Sequence, residues 1–106
     1  MKERRASPRA HGPFDGVRFG LLDVNVRIHD LSTGGCFVES LNENKVGESV
    51  RLQIDLPDEG RVCATGVVVP SARTLGFAVR FTEVDSADQE RIARTVARRA
   101  GGKPRS

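Results

Sequence analysis

The sequence predicts an all-β-dominated domain, a six-stranded antiparallel barrel with one C-terminal helix, and three observations carry that prediction. Apolar and polar residues alternate over short stretches in the middle of the chain, clusters of turn-forming residues separate those stretches, and a helical period replaces the alternation near the end. With 106 residues there is room for one domain and one core. A closed sheet also removes the exposed edges that so small a domain could hardly cover otherwise.

Taken in order, "GVRFG" at 16–20 is a short first strand. "VNVRIHD" sets Val24, Val26 and Ile28 against Asn25, Arg27 and His29, so residues 23–29 form a strand with one buried face. "CFVES" at 36–40 is another short strand. "SVRLQIDL" points Val50, Leu52, Ile54 and Leu56 inward, and "RVCATGVVV" continues the sheet. "TLGFAVRF" completes it with Leu75, Phe77, Val79 and Phe81 on one face. The breaks between them, "STGG", "NENKVGE", "PDEG" and "PSART", have the composition of turns.

In "SADQERIARTVARRA", Ser86 followed three residues later by Gln89 has the capping-box pattern of a helix start. It predicts a helix over about 87–99, with an apolar stripe of Ile92, Ala93, Val96 and Ala97 and with Arg91, Arg94 and Arg98 on another face. The domain plan is a flexible arm at 1–11, the barrel and helix at 12–100, and a disordered tail at 101–106.

Hydrophobic content of 38% and charged content of 29% fit a globular domain. No apolar run approaches the roughly 20 residues of a membrane span, and the N-terminus has no signal-peptide core, so a cytoplasmic protein is expected. Cys36 and Cys63 lie in apolar stretches without metal-ligand spacing and read as two buried small hydrophobes. The net charge of +3 decides little by itself, but the positive residues gather in "MKERRASPR" and "RIARTVARRAGGKPRS".

Two constellations stand out. Arg5 and Arg9 are four residues apart, Arg4 precedes them, and Pro8 disfavours a helix there. In an extended arm Arg5 and Arg9 point the same way, about 13 Å apart, while Arg4 points to the other side. That geometry suits a large anionic ligand, although chemistry alone favours a solvated basic tail. The second constellation, "DLSTGG" at 30–35, is largely explained as a turn. Continuing the phase of Val24, Val26 and Ile28, however, sends Asp30 to the core side at the barrel rim, where a carboxylate needs backbone N–H groups or a ligand. A calcium loop is excluded, because the twelfth position is Leu41 instead of a bidentate Glu. No nucleophile, base and oxyanion arrangement emerges either: His11 lies in a loop and His29 faces away from Asp30 on an ideal strand, so an enzyme is not expected.

"RRASPR", followed about twenty residues later by "DLSTGGCFVES", resembles the bacterial PilZ domain. The family's R-x-x-x-R is matched by Arg5 and Arg9, and its [D/N]-x-S-x-x-G by Asp30, Ser32 and Gly35. "KVGESVRLQIDLPDEGRVCATGVVV", "LGFAVRF" and the last helix resemble its remaining elements. The resemblance implies a barrel that binds cyclic diguanylate (cyclic di-GMP), a bacterial second messenger, with no further cofactor. Arg5 and Arg9 would meet guanine edges, base planes or phosphates, and Asp30 would accept from the guanine N1–H and amino group. Ser32 would offer a hydroxyl, and Gly35 would allow close backbone approach. In similar domains an arginine at the position of Arg4 goes with capture of two intercalated ligand molecules. Ordering of the arm on binding would then be read by a downstream protein partner. Two rivals remain open. One is a protein-interaction domain of the same fold without a nucleotide site. The other is a small nucleic-acid-binding barrel, disfavoured because the chain has no Trp or Tyr and its Phe37, Phe77 and Phe81 sit in core-like contexts.

Overall fold

The computed structural model describes residues 8–41 and 44–100, so the expected tail at 101–106 lies outside the described residues. Six strands follow one another as β1 (Phe14–Phe19), β2 (Val24–Ser32), β3 (Gly35–Glu39), β4 (Ser49–Leu56), β5 (Gly60–Val69) and β6 (Gly76–Glu83), and α1 (Ser86–Ala100) ends the fold. They close into a barrel in the order β1-β2-β3-β6-β5-β4, with every neighbouring pair antiparallel.

The period-2 pattern explains the barrel wall. In β4, Val50, Leu52, Ile54 and Leu56 are all buried, whereas Arg51 and Asp55 face solvent. Ile28, Leu31, Val38, Leu52, Ile54 and Val62 from the wall meet Ile92 from α1 as fully buried side chains. Each contributes about 1.5–3 kcal/mol by leaving water. The helix therefore closes the core, packing on β2 and β5 through Ile92, Thr95 and Val96. Ala93 and Ala97, expected on the apolar stripe, are exposed, because three residues at this spacing suffice for so narrow a contact.

Gln89 also departs from the capping-box expectation. Its side-chain amide donates to the Thr33 carbonyl at 3.1 Å, so it fastens α1 to the β2–β3 turn. The arginine face of α1 is held down as well. Glu59, in the β4–β5 turn, accepts from Arg94 at 2.9 and 3.1 Å and from Arg98 at 2.7 Å. Those guanidinium groups, Arg94 foremost, hold its carboxyl below the usual carboxylate range. Arg91 pairs with Asp88 one turn back. The arginine stripe thus docks the helix onto its own barrel.

Three further expectations need correction. Ordered packing starts before residue 12, since Ala10 is fully buried and exchanges two backbone hydrogen bonds with Leu31, at 2.7 and 2.9 Å. Leu75 is 68% exposed with φ of 63°, because β6 begins only at Gly76 and the inward phase starts at Phe77. Cys63 is exposed, since Val62 and Ala64 take the inward positions of β5, while Cys36 is buried and its thiol is pushed up to about 12 by desolvation. A maleimide at neutral pH should therefore label the folded chain once, at Cys63, and reach Cys36 only in denaturant. Double labelling of the native protein, by mass spectrometry, would contradict that burial. Among the described residues, no helix is long and apolar enough to cross a membrane, and no group of three or more His, Cys, Asp or Glu side chains is placed to hold a metal ion.

Candidate functional site

The site is built at the corner where β2 turns into β3. Strand alternation holds as far as His29 and then breaks: the register shifts between His29 and Ser32, and Asp30 adopts a left-handed φ of 51°. This bulge gives the inward position to Leu31, which is fully buried, and turns Asp30 to the outer wall of the barrel. The phase argument that sent Asp30 toward the core side is thereby corrected. Its conclusion, that the carboxylate needs partners, holds in another form. Asp30 Oδ2 accepts from Arg73 Nη1, and Asp30 Oδ1 lies 3.3 Å from His11 Nδ1.

Ser32 and Gly35 shape the turn. The Ser32 hydroxyl accepts from the backbone N–H of Gly34 and of Gly35, each at 3.2 Å, and donates to the Gly35 carbonyl at 3.3 Å. Its donor and both lone pairs are in use, so its role in this conformation is to set the loop. Gly35 pairs with Arg80 on β6, and a Cβ there would collide with the Val79 carbonyl. The close approach it permits is strand to strand. A hydrogen bond of 2.8 Å from the Phe81 N–H to the Gly34 carbonyl, with the Gln89 contact, ties the turn to β6 and α1.

Around this corner lies a cleft of about 280 Å³ whose lining includes Arg9, Asp30, Phe37, Arg73 and Arg80. Three guanidinium groups face one carboxylate there, which makes the cleft a basic one. Arg9 is exposed at its edge, just before the Ala10–Leu31 bridge that fixes the incoming chain beside Asp30. Arg4 and Arg5 lie outside the described residues. The structure thus brings Arg9, Asp30, Ser32 and Gly35 to one place.

Arg73 was not foreseen. It comes from the connection between β5 and β6, 43 residues from Asp30, and "PSART" carries no signal beyond that of a turn. Phe37 also differs from expectation. Cys36 and Val38 take the inward positions of β3, so Phe37 is on the outer wall, and it is buried because the Arg73 guanidinium lies over its ring, 4.0 Å from the centroid. Gly76 flanks the same ring, where a Cβ would come within 2.9 Å of it.

A larger cleft of about 640 Å³ elsewhere on the wall holds none of the motif residues. Its charges are largely paired among themselves, Arg61 with Asp55 at 3.3 Å and Arg27 with Asp15 at 3.9 Å.

The described residues thus form a closed barrel that carries a polar cleft on an outer corner. The profile of the PilZ domain matches residues 3–98, and the chain belongs to that family. The fold is shared with the Bacillus subtilis inhibitor of motility (MotI/DgrA), at a TM-score of 0.84 and 23% identity over 98% of this chain. The match covers 55% of the Bacillus protein's length. It is shared also with the PilZ domain of YcgR from Escherichia coli, a structure described as containing c-di-GMP. That likeness has a TM-score of 0.68 and 15% identity, and it covers 92% of both chains. At these identities the likeness is one of fold. No curated protein matches the chain.

Proposed function

We propose that this protein is a receptor for cyclic diguanylate that binds it in the cleft beside Asp30 and signals through a protein partner. The observation that carries the reading is the convergence of Arg9 and Asp30, 21 residues apart in sequence, on one basic cleft. A carboxylate is the natural acceptor for the two N–H donors of a guanine Watson–Crick edge, and guanidinium groups suit phosphates and base planes. Arg9, together with Arg5 and Arg4 from the segment before it, supplies the second kind of contact. Ser32 and Gly35 act by fixing the turn that presents Asp30. Membership of the PilZ family, and the ligand in the YcgR structure, support the same ligand class. Capture of two intercalated ligand molecules through Arg4 belongs to this proposal.

Calorimetric titration tests it. Cyclic diguanylate should bind at micromolar affinity or tighter, cyclic diadenylate far more weakly, and Arg9→Ala should reduce the affinity about tenfold, the loss of one charge-assisted contact. A molar ratio of two would support the role given to Arg4. No heat at several temperatures, or equal affinity for both dinucleotides, would sink the receptor reading in favour of a ligand-independent interaction domain.

A further inference from the structure

Both Asp30 oxygens are engaged within the protein itself, Oδ2 by Arg73 and Oδ1 by His11. The aromatic face next to them is covered by the same Arg73 guanidinium. One side chain therefore occupies part of both features that a guanine would use, one oxygen of the carboxylate, the other being held by His11, and the flat apolar ring. We infer that Arg73 is a built-in competitor for the ligand. It covers Asp30 and Phe37 and must leave both for the ligand to bind. The inference rests on the receptor reading above.

The arrangement is physically suited to displacement. Asp30 and Arg73 are both partly exposed, at 26% and 49%, so their ion pair is weak, and the contact of a half-exposed guanidinium with the Phe37 ring adds about 1 kcal/mol. A ligand able to replace both contacts wins this exchange. Guanine offers two adjacent N–H donors to the carboxylate and a plane to the ring. Adenine presents an acceptor where guanine has its N1–H, so it cannot satisfy Asp30 after evicting Arg73. Occupation of the cleft by Arg73 thus lowers the affinity of both dinucleotides by the same factor, while the match to Asp30 sets the preference between them. Its placement on the short connection between β5 and β6 lets the side chain move without disturbing either strand.

The decisive experiment compares wild type with Arg73→Ala by calorimetric titration of cyclic diguanylate and cyclic diadenylate at 150 mM salt. It adds side-chain NMR of the ligand-free chains. Removing the competitor should tighten cyclic diguanylate binding about three- to tenfold and raise the residual affinity for cyclic diadenylate by the same factor. In wild type the Arg73 δ-protons should carry an upfield ring-current shift that disappears on saturation with cyclic diguanylate. Binding that is weaker in Arg73→Ala, or unchanged, while wild type binds normally would overturn the competitor role and leave the receptor reading intact. No binding by either chain, with the ring-current shift still present, would strike the receptor reading. The cleft would then have no ligand to displace Arg73, which removes the competitor role with it.

Discussion

Replacing Asp30 with alanine should lower the affinity for cyclic diguanylate by more than about 100-fold in a chain that still folds. Among the described residues the carboxylate is the one acidic group in the lining of the basic cleft, and two charge-assisted hydrogen bonds to a guanine edge contribute on the order of 3 kcal/mol together. Its removal also releases Arg73 and adds net positive charge, which by itself would favour an anionic ligand. A large loss despite that gain would mark Asp30 as the reader of the base. The backbone adds a check. Asp30 has φ of 51°, where alanine is strained by about 1 kcal/mol and asparagine is not, so thermal melts of both variants separate folding from binding. Asp30→Asn keeps the turn and one acceptor and should fall between wild type and alanine. A loss below about tenfold in Asp30→Ala would show that the guanine edge is read by some other group.

The second large effect concerns stability. Gly35→Ala should destabilise the fold by about 3 kcal/mol and lower the melting temperature by more than about 10 °C, with or without nucleotide present. The added methyl would point at the Val79 carbonyl, across a ladder in which Gly35 pairs with Arg80. The atoms it meets are backbone, which cannot rotate aside. Relief requires β3 to separate from β6, in a barrel whose closure depends on that pair. Were the glycine needed only so that a ligand can approach, the melting temperature would stay put and only the dissociation constant would rise. Differential scanning calorimetry of the ligand-free variant distinguishes these outcomes.

The two glycine and aspartate positions illustrate what the sequence could and could not reveal. Strand alternation in β4 and the apolar phase of β2 up to Ile28 were legible because each strand has one wet and one dry face, which period-2 patterning records directly. The bulge after His29 was not legible. Asp30 and Leu31 look like a continuing strand, and nothing in "HDLS" specifies the left-handed φ that swaps which of them faces the core. Leu75 and Cys63 were misplaced for a related reason, since a shift of one residue in where a strand begins or which face it buries reverses the assignment. The motif residues Arg9, Asp30, Ser32 and Gly35 were picked out through the resemblance of their two motifs to the PilZ family, since residue type and spacing alone are equally those of a basic tail and a turn. Arg73 could not be picked out, because its importance is created by contacts to Asp30 and Phe37 that the chain makes only after the barrel closes.

The bridge between Ala10 and Leu31 fixes more than the start of the fold. Leu31 is the immediate neighbour of Asp30, so the point at which the chain joins the barrel wall lies beside the carboxylate. Arg5 is five residues upstream of that point, and a polypeptide of that length reaches at most about 18 Å. The tether keeps its guanidinium at an effective concentration of millimolar or above near the cleft, whatever path the intervening residues take. On the proposed reading, engagement of Arg5 with a nucleotide already in the cleft is a unimolecular step, whereas the same arginine on a separate peptide would need a second bimolecular encounter.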